Sequence, residues 1–136
     1  DLEAMCGGYD AIKKKIIEIQ NKGYDATNKE LGQLESLKVA LEATARGIKF
    51  LNVDLYKSES IVWIAKNDNE IYPPFNAIDG LGDTVANNIV EEREKSEFLS
   101  IEDLQKKAKI SGTLIEKMRM LNILDGMDES SQLSLF

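Results

Sequence analysis

Phe75-Asn76-Ala77-Ile78-Asp79-Gly80-Leu81-Gly82 runs straight into Asp83-Thr84-Val85-Ala86-Asn87-Asn88-Ile89-Val90, and the fold is read from this stretch outward. A short apolar helix enters, a Gly-x-Gly turn follows, and a second helix leaves with Ala86 at its fourth position. Gly80 and Gly82 allow positive φ and leave no Cβ between the backbone and an approaching anion. Leu81 points back and pins the turn between the two helices, and Ala86 keeps those helices close. The outgoing helix offers unpaired N–H groups and the positive end of its dipole, which suits a phosphate. Thr84 and Asn87 are placed to donate hydrogen bonds to it, with Arg93 and Lys95 further along. A site of this kind reads backbone rather than base sequence. Asp79 and Asp83 flank the turn and would repel a phosphate if they faced it, although Asp83 also suits a helix cap. The open alternative is an αα-hairpin whose glycine turn binds nothing.

The arrangement matches the helix-hairpin-helix pattern, and a weaker second copy follows it. Ser100-Ile101-Glu102-Asp103 opens a helix as a capping box, with Ser100 three residues before Asp103. Lys109-Ile110-Ser111-Gly112 then turns into a helix over 113–121. Lys106, Lys107 and Lys109 make this the most basic stretch of the second half, and paired elements would grip both strands of a duplex. A solvated charged face is the alternative for these lysines. Past Leu124 the composition turns to Asp, Glu, Ser and Gly, which predicts a flexible tail over 125–136.

Upstream of Pro73-Pro74 the reading is helical, then strand-like. Ile12, Ile16 and Ile19 recur at helical spacing between Gly8 and Lys22, and Gly23 ends that helix. Thr27 to Glu30 is a capping box that opens a second helix through Leu31, Leu34, Leu37 and Leu41 to Gly47. Phe50 to Leu55 and Ile61 to Ile64 are β-prone runs separated by turn residues, which predicts a small sheet or a pair of hairpins.

Composition excludes whole classes of chemistry. The chain has 136 residues, a hydrophobic content of 43 %, one cysteine and no histidine, so disulfide frameworks, Cys/His zinc sites and histidine acid–base catalysis are ruled out. No run approaches the ~20 apolar residues of a membrane span, and no signal peptide is visible, so we expect a cytoplasmic protein with no membrane partner. A net charge of −7 is unusual for a nucleic-acid binder, and duplex binding would be weak and salt-sensitive. The chain opens on Asp1 rather than Met, from which we expect a piece of something larger.

Gln132-Leu133-Ser134-Leu135-Phe136 resembles the pentapeptide by which bacterial proteins dock on the replication sliding clamp, with Leu133, Leu135 and Phe136 filling apolar pockets and Gln132 bonding at the rim. The whole chain resembles the C-terminal end of the replicative DNA polymerase III alpha subunits of Gram-positive bacteria, the PolC type. The resemblance rests on Asp1 to Met5, Phe50 to Ser58, Pro73 to Ile78 with Gly80-Leu81-Gly82, Asn88 to Val90, Glu97 to Ser100, Glu102 to Leu104, and the closing Gln132 to Phe136. It implies a mainly α fold with a small β section. Residues 1–74 would be the end of the fingers region, 75–124 a tandem helix-hairpin-helix region on duplex DNA, and 125–136 a tail tethered to the β clamp. It further implies that the catalytic carboxylates, with their Mg²⁺ ions, lie outside this chain, so it holds no catalytic residue, metal or cofactor. The partners implied are duplex DNA, the β clamp and the remainder of the polymerase subunit. Two departures stand out: Asp79, where the family pattern has proline, and Cys6, where it has an aliphatic residue. A free-standing adaptor that binds a partner through its tail, with a purely structural hairpin, is the competing reading.

Overall fold

The isoleucine spacing of the first half and the glycine turn of the second build two separate units in the computed structural model, which describes residues 2–130. Of these, residues 2–52 with Ala65–Tyr72 form the first; Val53–Ile64 and residues 73–130 form the second.

The first unit opens with a short helix that the sequence reading did not anticipate, α1 (Leu2–Cys6), followed by α2 (Tyr9–Lys22) and α3 (Asn28–Ala45). Steps of four and three residues put Ile12, Ile16 and Ile19 on one face of α2, where all are buried. They pack with Leu37 and Ala40 of α3, with Ala4 and Met5 of α1, and with Phe50. The capping box that starts α3 is complete: the Glu30 N–H donates to Thr27 Oγ1 and the Thr27 N–H to Glu30 Oε1, each at 3.1 Å. Cys6 ends α1, its thiol donating to the Leu51 carbonyl at 3.4 Å, and burial pushes its pKa up.

The sheet is present but smaller than expected and is not built of hairpins. Its strands are β1 (Lys49–Phe50), β2 (Ile64–Ala65) and β3 (Glu70–Tyr72), in the order β1-β3-β2. β1 and β3 run parallel, with Lys49 opposite Glu70 and Phe50 opposite Ile71. The β-prone run from Phe50 to Leu55 leaves the sheet because Asp54 bends it. The Asp54 carboxylate accepts the Tyr56 and Lys57 N–H groups at 2.9 and 3.0 Å, and the Asp54 N–H donates to Ser58 Oγ at 2.9 Å. This Asx-type turn competes with any ladder. The second expected strand is likewise reduced to its last residue, and Ile61, Val62 and Trp63 are exposed.

In the second unit a single 3₁₀ turn (Phe75–Ala77) replaces the short helix expected before the hairpin, and α4 (Asp83–Lys95), α5 (Ile101–Ala108) and α6 (Gly112–Met120) follow. Phe75, Ile78, Leu81, Ala86, Ile89, Leu104, Ala108, Ile110, Ile115 and Met118 are all buried. Arg93, read from the sequence as a cation further along the helix that leaves the hairpin, is a staple. Its side chain is 6 % exposed and faces Glu59. It donates to the Leu55 and Ser58 carbonyls and lies 5.9 Å above the Phe75 ring. The Asp54 turn presents those carbonyls with no strand partner, and a guanidinium satisfies two at once.

Candidate nucleic-acid interface

The first hairpin takes the predicted left-handed turn at Gly80 but not at Gly82. Gly80 takes φ +86°, a conformation costing an L-residue ~1–2 kcal/mol. The Leu81 N–H then closes the turn on the Ile78 carbonyl at 3.0 Å, and Leu81 is buried beneath it. Gly82 is the N-cap of α4, so Asp83 stands inside the first turn rather than capping it, and its carboxylate accepts from Asn76 Nδ2 at 3.3 Å. Among the described residues no side chain caps the N-terminus of α4. Gly82 itself has φ −80°, which any residue adopts, and a Cβ built on it meets no heavy atom within 4 Å. Neither backbone strain nor crowding inside the chain explains that glycine.

The second hairpin repeats the path with other residues. Lys109 takes the left-handed corner at φ 58° and ψ 50°, the buried Ile110 stands where Leu81 does, and Ser111 is the N-cap where Gly82 is. Ser111 Oγ accepts the Leu114 N–H at 3.2 Å, so this helix start carries the side-chain cap that the first lacks. The hairpins are tied together: Asn88 Nδ2 of α4 donates to the Ala108 carbonyl at 3.2 Å, and Lys117 Nζ of α6 donates to the Asp79 carbonyl at 2.8 Å.

Of the proposed contact residues, Gly80 and Gly82 are exposed at the turn, with Thr84 and Asn87 exposed on the first turns of α4. Leu81, being buried, can act only by holding the turn. Lys106 and Lys109 are exposed, but Lys107 is half-buried, pairing with Asp103 at 3.1 Å and donating to Ser96 Oγ at 3.3 Å. Asn76, Asn88 and Lys117 were missed by the sequence reading. Asn88 and Lys117 act across the hairpin pair and Asn76 across the first turn to Asp83, and no local pattern flags such contacts. The clamp-binding candidates Gln132, Leu133, Ser134, Leu135 and Phe136 lie outside the described residues. Among the described residues no group of three or more His, Cys, Asp or Glu side chains is placed to hold a metal ion, and no helix is long and apolar enough to cross a membrane.

The α5 start is closed to an anion. Ser100 Oγ accepts the Asp103 N–H at 3.0 Å, while the Ile101 and Glu102 N–H groups donate to the Asp128 and Glu129 carbonyls at 2.8 and 3.1 Å. The sequence reading began its tail at residue 125, yet the backbone is pinned here as far as Glu129, and Arg119 reinforces it with a two-pronged pair to the Glu129 carboxylate.

Comparison with known proteins agrees with this geometry. Over its entire length the chain is 48 % identical to a protein of Oceanobacillus iheyensis and 47 % identical to one of Halalkalibacterium halodurans. It is 44 % identical to a third, from Streptococcus sanguinis, and all three are named DNA polymerase III PolC-type. The chain spans about a tenth of the length of these curated relatives, covering 10 %, 9 % and 9 % of them. A family profile described as a helix-hairpin-helix motif matches residues 47–133. With both hairpins formed and most of its length inside that match, the chain belongs to the helix-hairpin-helix family.

Proposed function

We propose that this chain is a non-catalytic part of a replicative DNA-directed DNA polymerase of the PolC type, gripping the duplex backbone and tethering the polymerase to the β sliding clamp. Identity to PolC-type polymerases along the whole chain supports the assignment to that machinery, which works in the cytoplasm on duplex DNA. The grip is assigned to Gly80, Gly82, Thr84 and Asn87, held by Leu81, with Lys106, Lys107 and Lys109 flanking. The tether is assigned to Gln132, Leu133, Ser134, Leu135 and Phe136. Nucleotide addition and its Mg²⁺ ions are assigned to other parts of such a polymerase.

Gly82 is the observation that carries the grip. The fold does not require a glycine there, and the uncapped helix start behind it offers N–H groups to a phosphate. A phosphate drawn up to those amides needs the space that a side chain would fill. Gly82→Ser tests this, because serine should cap α4 as Ser111 caps α6. We expect unchanged or slightly raised thermal stability and a loss of about tenfold or more in affinity for duplex DNA of any sequence, read by a salt-dependent anisotropy titration of the 136-residue chain. Equal affinity of the variant and the parent would sink the grip. One observation favours the adaptor with a structural hairpin: Lys107 and Lys117, which would otherwise face a phosphate, are engaged with the chain's own carboxylates. The same titration decides between the two.

A further inference from the structure

Asp79 sets a carboxylate at the turn proposed to receive a phosphate, and the structure holds an answer to it. Lys117, far away in sequence on α6, places Nζ 3.5 Å from Asp79 Oδ2 and 2.8 Å from the Asp79 carbonyl oxygen. Its ammonium therefore meets both negative groups of that residue at once. It also borders the glycine corner, since a Cβ on Gly80 would lie 4.0 Å from Nζ and 3.7 Å from Leu114 Cδ2. The Lys117 and Asp79 side chains are 39 % and 59 % exposed. A pair this open adds little to stability, so its value must be sought elsewhere. At a phosphate site, removing a like charge and turning a carbonyl dipole aside both act on the anion that arrives.

We propose that Lys117 is a positioning residue for the first hairpin: it cancels the Asp79 charge and fixes the Asp79 carbonyl, so that the Gly80–Gly82 turn accepts a phosphate despite its aspartate. The second hairpin then serves the first as a buttress, with Leu114 and Lys117 packed at the glycine corner and its own helix start closed by Ser111. This rests on the reading of the first hairpin as a phosphate site. A change of one unit charge within several ångströms of a phosphate at a wet surface is worth a fold-change of about five in affinity.

The test is a charge cycle on the 136-residue chain, titrated against a fluorescent duplex of arbitrary sequence at several salt concentrations, with thermal unfolding of each variant. Lys117→Met should weaken binding about fivefold, Lys117→Arg should keep most of it, and Asp79→Asn should strengthen it. In the Asp79→Asn background, Lys117→Met should cost far less than in the parent, because no charge remains to cancel. An equal cost in both backgrounds would overturn the proposal, since Lys117 would then touch the phosphate directly or merely support the fold. No effect of Lys117→Met would overturn it too. If that variant fails to fold, Asp79→Asn still decides: unchanged or weaker binding overturns the proposal, and tighter binding supports it. Failure of the underlying reading looks different, because Gly82→Ser would then leave affinity unchanged or the parent chain would not bind. Loss of binding in Gly82→Ser with no effect of Lys117→Met rejects the Lys117 role alone.

Discussion

Gly80 and Lys109 occupy equivalent corners of the two hairpins, both in the left-handed region, with φ values of 86° and 58°. Glycine meets that demand at no steric cost, whereas lysine carries a strain of ~1–2 kcal/mol. Lys109 is also the C-cap of α5, its N–H bonded to the Gln105 carbonyl, at a helix end where glycine is the common solution. Replacing it should therefore relieve more strain than the added freedom of the unfolded chain takes back. We expect Lys109→Gly to stabilise the second unit by about 0.5–1 kcal/mol, a rise of a few degrees in its unfolding midpoint by circular dichroism. A lower midpoint would mean that the lysine side chain contributes contacts outweighing its strained backbone. The glycine pattern at 80–82 exposed the first corner in the sequence; the second was legible only as a turn with Ile110 and Gly112 between two helices, and its corner stayed hidden because nothing marks a lysine as left-handed.

At the scale of elements, the start of α5 shows how the end of the described chain is held. Its first N–H groups are satisfied by the Asp128 and Glu129 carbonyls, and Arg119 fastens the strap through the Glu129 carboxylate. The hydrogen bond from Arg119 holds the Glu129 pKa below the ordinary carboxylate range, and Glu129 holds that of Arg119 up. For Asp103 burial pushes the other way, but the Leu99 N–H, to which the carboxylate is bonded at 2.9 Å, and the Lys107 ammonium outweigh it and lower the pKa. Both carboxylates thus titrate lower when folded than when unfolded. Their stabilisation is complete above the unfolded values and is lost as pH falls through the folded ones. Through these two carboxylates the second unit should lose stability below about pH 4, with no contribution from them to any pH-dependence between about pH 5 and neutral pH. The amide resonances of Ile101 and Glu102 should move in that same acidic range as the strap lets go. Glu129→Gln should reduce the pH-dependence of those two resonances to the part that Asp103 imposes; an unaltered titration would show that the strap is held by its backbone bonds alone. Composition hid this element, because Asp125, Asp128 and Glu129 read as a solvated linker while the bonds that fix the segment come from main-chain carbonyls.

At the scale of the whole molecule, the proposed function asks a chain of net charge −7 to meet a polyanion. Bulk electrostatics opposes that encounter, so amides, glycines and a few local cations must carry the contact, and a tether would raise the effective concentration at which they work. Deleting residues 132–136 should abolish capture by immobilised sliding clamp and leave thermal unfolding and duplex affinity unchanged. Clamp capture by the truncated chain would move the tether elsewhere.

Local signals carried the helices, the capping box at Thr27, the Ser100 cap (whose partner Asp103 reaches back to the Leu99 N–H instead of closing a box), the isoleucine face of α2 and the glycine hairpin, because each depends on residues within a turn or two of one another. The sequence by itself therefore determined a mainly helical chain with two hairpins in tandem and the family they belong to. Tertiary structure decided the parallel pairing of β1 with β3, the inward turn of Arg93, the closure of the α5 start by Asp128 and Glu129, and the partnership of Lys117 with Asp79. Each of those joins groups that no local period or spacing connects. Buried carbonyls and exposed carboxylates find their partners only once the elements have packed, and there Asp79 changes from a defect in the pattern into half of a pair.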